Sequence, residues 1–148
     1  PDWLQDYLNR INSLNLMNGK IPNHVLVNEY LSGQGIMPHS DGPLFYPTIA
    51  TISCGSHNVI SFAEKGSEDK NNYSVLLERR SLLIVQHDMY ENYLHGIDHI
   101  KNDTIDEKLA NYNQSCKLYK IGQAIERKTR ISLTIRHVPK TSKIKIKI

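Results

Sequence analysis

Residues 2–16 place Trp3, Leu4, Tyr7, Leu8, Ile11 and Leu14 at the spacing of a helix that buries one face, with Asp2 positioned to cap it and Asn18-Gly19 to stop it. From there the period changes to two. Stretches 24–31, 36–41, 48–54, 57–63, 73–77, 82–87 and 127–138 read as strands. Gly33-Gln34-Gly35, Gly42-Pro43 and Gly66-Ser67-Glu68-Asp69 supply turns between them. Many short strands beside one helix predict a mainly β domain: a sandwich, barrel or jelly roll with a flanking N-terminal helix. Residues 97–125 break this rhythm. They are polar, and they predict an insertion with a short helix near 104–112. The Lys-Ile alternation of 143–148 suits either an edge strand guarded by lysines or a frayed basic end.

Composition narrows the picture in a few ways. A chain of 148 residues, 39% hydrophobic and 22% charged, fits one domain over 1–148 with a core that needs no staples. The apolar run 82–85 is far too short to span a bilayer, and the N-terminus does not read as a secretory leader. A soluble monomer of the cytoplasm or nucleus is expected, without a membrane partner. The chain starts at Pro1 and enters a helical pattern at once, which predicts a C-terminal fragment of a longer parent. Cys54 and Cys116 lack C-x-x-C spacing and are expected to be reduced thiols. A net charge of +3 tolerates a polyanion, yet it does not form the basic stripe of a dedicated nucleic-acid binder.

The chemistry is concentrated in "MPHSDGPLF", residues 37–45, where a strand meets a turn. Residues i and i+2 of a strand share a face, so His39 and Asp41 can aim an imidazole and a carboxylate at one point. Such a pair is two thirds of the 2-His-1-carboxylate set that binds Fe(II) on one face. It is equally an ordinary polar pair at a strand-to-turn junction. His24, His57, His87, His99 and His137 stand beside turns or alternate with core positions, and they read as solvated or hydrogen-bonded. His95 differs, because it lies between apolar Leu94 and a Gly96 that allows close backbone approach.

In "RISLTIRHV", Ile131, Leu133 and Ile135 form one face and Arg130, Ser132, Thr134 and Arg136 the other. The polar face has two readings. It is solvated, as in many antiparallel sheets, or it lines a cavity in which two guanidiniums would need anions, a dicarboxylate above all. Asn28 and Tyr30 share a face of "HVLVNEYL" and present the same duality, since an amide and a phenol bind a carboxylate without adding charge.

Taken together, "NEYLSGQGIMPHSDGPLFYPTIATISCGS", "YLHGI" and "RISLTIRHVP" resemble, in order and spacing, the AlkB-like iron(II) and 2-oxoglutarate dioxygenases, from about Pro1 to Pro139. The resemblance implies a double-stranded β-helix, a jelly-roll variant with a metal inside. It implies His39, Asp41 and His95 as iron ligands, with no catalytic side chain beyond them. It implies Arg130 as the clasp for the distal carboxylate of 2-oxoglutarate, with Asn28, Tyr30, Ser132, Thr134 and Arg136 completing that pocket. The implied reaction consumes 2-oxoglutarate and O2 and oxidises a substrate C–H; on an N-methyl group the product loses formaldehyde. A nucleic-acid substrate is implied, although Gly42-Pro43 stand where base-repairing relatives carry an acidic reader. The same chemistry on a protein side chain, and a catalytically silent binding module, are the competing readings.

Overall fold

A computed structural model of the chain describes residues 1–66, 72–115 and 119–139. Helix α1 spans Asp2–Ser13 and packs Leu8 and Ile11 downward. Its start and stop both differ from expectation. Pro1 is the N-cap, so the carboxylate of Asp2 lies in the first turn, where it complements the helix dipole. The helix ends before Asn15, which takes a left-handed conformation and accepts a hydrogen bond from the Gly19 amide at 2.9 Å.

Among the described residues ten strands follow: β1 (His24–Tyr30), β2 (Ile36–His39), β3 (Thr48–Gly55), β4 (Asn58–Glu64), β5 (Asn72–Leu77), β6 (Leu82–Gln86), β7 (Tyr93–Ile97), β8 (Asn102–Thr104), β9 (Ala124–Glu126) and β10 (Arg130–Arg136). Short helices α2 (Asp88–Glu91) and α3 (Tyr112–Ser115) complete the set. The strands form two four-stranded antiparallel sheets, ordered β1-β10-β3-β6 and β2-β7-β4-β5, beside a small β8-β9 ribbon. This is the expected mainly β, jelly-roll arrangement, with α1 flanking it.

Three apolar clusters explain the layering. Ile60, Phe62, Leu77, Val85, Tyr93 and Ile97 fill the space between the sheets. Ile11 of α1 packs on Ala50 and Ile135, the outer face of the first sheet. Leu76, Ile105 and Leu109 seat the 97–125 segment on the outer face of the second. That segment also guards an exposed edge: Ala110 N donates to Ser74 O at 2.8 Å, and Asn111 exchanges two hydrogen bonds with the backbone of Leu76.

Several expectations need correction. The insertion contains the β8-β9 ribbon, and its helix is Tyr112–Ser115 rather than one near 104–112. Residues 93–97, not anticipated as a strand, are β7. The last strand begins at Arg130 and not at Arg127, whose guanidinium is buried in an ion pair with Asp103. Cys54 is a free, half-buried thiol, while Cys116, the 143–148 alternation and the Ser67-Glu68-Asp69 part of one expected turn lie outside the described residues. Among the described residues no helix is long and apolar enough to cross a membrane.

Candidate metal and oxoacid site

β2 is an edge strand, and Pro38 sits where its register with β7 shifts between Ile36 and His39, an irregularity that accommodates a proline. It approaches β7 closely because of Gly96, where a Cβ would stand 3.0 Å from Ile36 O and from Pro38 N. That approach sets His39 opposite His95, with ring centroids 4.5 Å apart. Phe62 backs the His95 ring at 6.1 Å. Asp41, just past the strand, turns Oδ2 to within 3.6 Å of His95 Nε2, and its other oxygen accepts a hydrogen bond from Arg136 Nη2.

The donor chemistry fits a divalent transition metal. His39 Nδ1 lies 2.9 Å from Met37 O, a partner that requires the proton on Nδ1 and leaves Nε2 with a free lone pair. Burial pushes His95 below the ordinary imidazole range; Asp41 works against this, while His39 and Arg136 reinforce it, so the ring is neutral at neutral pH. Because Asp41 is engaged on both sides, the three side chains are adjacent without surrounding a common point, and no trio of His, Cys, Asp or Glu does so among the described residues.

Facing these three across the barrel is the polar face of β10. Arg130 is 2% exposed, Ser132 3%, Thr134 8% and Arg136 9%, which removes the solvated reading of that face. With Asn28 and Tyr30 of β1 they line a cavity of about 100 Å3 that also reaches His39, Asp41 and His95. All nine residues singled out in the sequence therefore meet in one space.

Arg130 is its most unbalanced member. Its Nη2 donates to Ser53 Oγ at 2.9 Å and its Cζ stands 5.6 Å from the Tyr30 ring centroid. Among the described residues its buried Nε has no hydrogen-bond partner and no carboxylate pairs with it. Burial pushes its pKa down, but an arginine keeps its proton. A buried cation lacking a counter-ion is costly, and the forked guanidinium is shaped for a carboxylate.

A match to the 2OG-Fe(II) oxygenase superfamily covers residues 1–136. The chain belongs to that superfamily. Members of that superfamily use Fe(II) and 2-oxoglutarate. The chain is 46% identical to a probable RNA/DNA demethylase, ALKBH6, of Danio rerio, across 95% of this chain and 63% of the relative. It is 30% identical to an uncharacterised protein, L905, of Acanthamoeba polyphaga mimivirus, across 95% of this chain and 59% of that one. The chain thus spans about three fifths of the length of these curated relatives. The solved structure of OsALKBH1 superposes with a TM-score of 0.52 at 20% identity, covering 89% of this chain and 60% of that one, which shows the shared fold.

Some residues of the site escaped sequence reasoning. Ser53 and Thr51 line the cavity side of β3, in register with Ser132 and Thr134. Their alternation in "TIATISC" marks a face, but only the register tells which face looks inward. Among the remaining histidines, His57 is buried with Nε2 3.3 Å from Asp103 Oδ2, near enough to pair though not aligned as a hydrogen bond. His137 Nδ1 meets Ile21 O at 2.7 Å. His87 and His99 are exposed.

Proposed function

We propose that this chain is the catalytic portion of an oxygenase that demethylates a nucleic acid oxidatively, with His39, Asp41 and His95 holding Fe(II) and Arg130 holding 2-oxoglutarate. The observation that carries the reading is the buried, unpaired Arg130 in the same cavity as two imidazoles and a carboxylate. That cavity is supplied with a metal-binding wall and an anion-binding wall, which suits a metal-chelating dicarboxylate. The nucleic-acid substrate is supported by the 46% identity to a probable RNA/DNA demethylase.

Fe(II), when bound with 2-oxoglutarate and O2, supplies the oxidising power to hydroxylate a C–H bond, with succinate and CO2 as co-products. The protein residues position and shield. Arg130 and Ser53 orient the distal carboxylate, and Asn28, Tyr30, Ser132 and Thr134 offer neutral hydrogen-bonding groups along the cavity. Ile36, Ile49, Ile60, Leu83 and Val85 line the same space with apolar surface and exclude water.

The test is incubation with Fe(II), 2-oxoglutarate and ascorbate, with and without N-methylated oligonucleotides, reading succinate, formaldehyde and the mass of the oligonucleotide. Formaldehyde and a loss of one methyl mass support the reading. Succinate formed without any change to methylated RNA or DNA, but with an oxidised protein substrate, would favour a side-chain hydroxylase.

A further inference from the structure

The loop between β2 and β3 carries Phe45, whose ring covers the guanidinium of Arg136, with Cζ 4.5 Å from the ring centroid. Beside this stack, a single salt bridge holds that guanidinium. Nη2 donates to Asp41, and the buried Nε has no hydrogen-bond partner among the described residues. The ring, by contrast, is well fixed. His24, opposite Arg136 in the β1-β10 ladder, meets it at 5.7 Å and a 43° tilt. Its loop is tied at both ends, by Tyr46 N to His137 O at 2.9 Å and by the Tyr90 hydroxyl to Gly42 O at 2.7 Å.

An arginine at the mouth of a site has a ready alternative, which is to extend its charged head into water along its own aliphatic stem. A cation stacked on an aromatic face in a desolvated setting resists this more strongly than one at an exposed face. We propose that Phe45 is a positioning residue: by stacking on Arg136 it keeps that cation on one oxygen of Asp41, so that the carboxylate meets a bound metal through its other oxygen.

The consequence has a characteristic sign. Without the stack, Arg136 leaves, and Asp41 regains its full charge and the use of both oxygens. A divalent metal then binds more tightly, while a coordination position that the oxoacid or O2 needs is taken up. Affinity for metal rises as turnover falls. A residue that merely filled space would weaken both together.

This inference rests on the metal-site reading above, and the experiment separates the two. Co(II) is titrated into the full chain and its Phe45→Leu and Phe45→Tyr variants, following the visible absorption of the metal; succinate formation and thermal unfolding are measured beside it. Phe45→Leu is expected to bind Co(II) several-fold more tightly with an altered absorption band, and to make succinate about five- to thirty-fold more slowly, as expected for a lost desolvated cation–π contact. Phe45→Tyr, which keeps the aromatic face, is expected to match the wild type in both. Unchanged behaviour of Phe45→Leu, a joint loss of metal and turnover, or an equal defect in Phe45→Tyr overturns the role of Phe45 alone. A wild-type chain that takes up no Co(II) overturns the metal site and this role with it.

Discussion

Arg136 and Asp41, 95 positions apart in sequence, form a salt bridge in which the carboxylate side chain is 5% exposed and the guanidinium side chain 11%. A buried pair of this kind is most informative when one partner is removed, because the other charge is then stranded. Arg136→Leu is expected to lower the unfolding free energy of the metal-free chain by about 3 kcal/mol. Saturating Mn(II) should return part of that loss, since a cation that binds only the folded state stabilises it and gives Asp41 a new partner. Urea unfolding with and without Mn(II) measures both. An identical loss under the two conditions would mean that Asp41 does not reach the metal.

Arg130 makes the opposite case, a buried cation without an anion among the described residues. Arg130→Met is therefore expected to abolish 2-oxoglutarate binding while leaving the ligand-free chain as stable as the wild type, or more stable. Arg130→Lys keeps the charge but loses the fork, and it should weaken 2-oxoglutarate by about 1.5–3 kcal/mol, the worth of hydrogen bonds to charged groups. Metal affinity should change little in either variant. Calorimetric titration of each ligand separates the effects; unaltered 2-oxoglutarate affinity in Arg130→Met would assign the oxoacid to another cation.

The fate of Arg130 also shows where the sequence could and could not be read. Alternation in 130–136 identifies two faces of a strand, and period-two alternation is the same whether the polar face meets water or a cavity. Only the second sheet, packed across β10, decides between them. The apolar periodicity of α1 and of the long strands was legible because each buries a whole face. β7 was not, being five residues long with Gly96 in it, nor was the β8-β9 ribbon, whose strands of three residues are too short to show any period. His39-x-Asp41 was legible as a pair from its i, i+2 spacing, although the strand ends at His39 and Asp41 reaches the site from just beyond it. The arrival of Phe45 over Arg136 depends on a loop path, which no local pattern encodes.

The two imidazoles should be separable by where their second nitrogens go. His39→Gln keeps a polar group on β2 but loses the lone pair that Met37 O directs outward through the Nδ1 proton. It is expected to weaken Mn(II) at least tenfold and to abolish succinate formation, with the far-ultraviolet spectrum unchanged, because the half-buried edge position contributes little to the core. Electron paramagnetic resonance of free Mn(II) reports the affinity. Wild-type affinity in this variant would remove His39 from the ligand set.

A second buried ion pair, outside the cavity lining, should govern the acid limb of stability. Arg127 donates to both oxygens of Asp103, from Nε at 2.7 Å and Nη2 at 2.6 Å, and its Nη1 donates to Asp98 O at 2.6 Å, which ties β8 to the chain leaving β9. Burial alone would raise the carboxyl pKa, but the hydrogen bonds from Arg127 and the nearby His57 outweigh it and hold Asp103 below its ordinary value of 3.8. A depressed folded value means that Asp103 stabilises the fold fully above the ordinary carboxylate range, and that this contribution is lost as pH falls through the folded value. In Arg127→Met the carboxylate stays buried with only His57 beside it, so its pKa rises. The variant is expected to be less stable near neutral pH by about 3–5 kcal/mol and to begin acid unfolding at a higher pH than the wild type. Because Asp103 lies within the 97–125 segment and Arg127 just beyond it, the amides of that segment should lose hydrogen-exchange protection before those of β3 and β10. Circular dichroism across an acid titration, paired with hydrogen exchange, tests this; coincident acid midpoints for the two proteins would show that Asp103 does not set the limit.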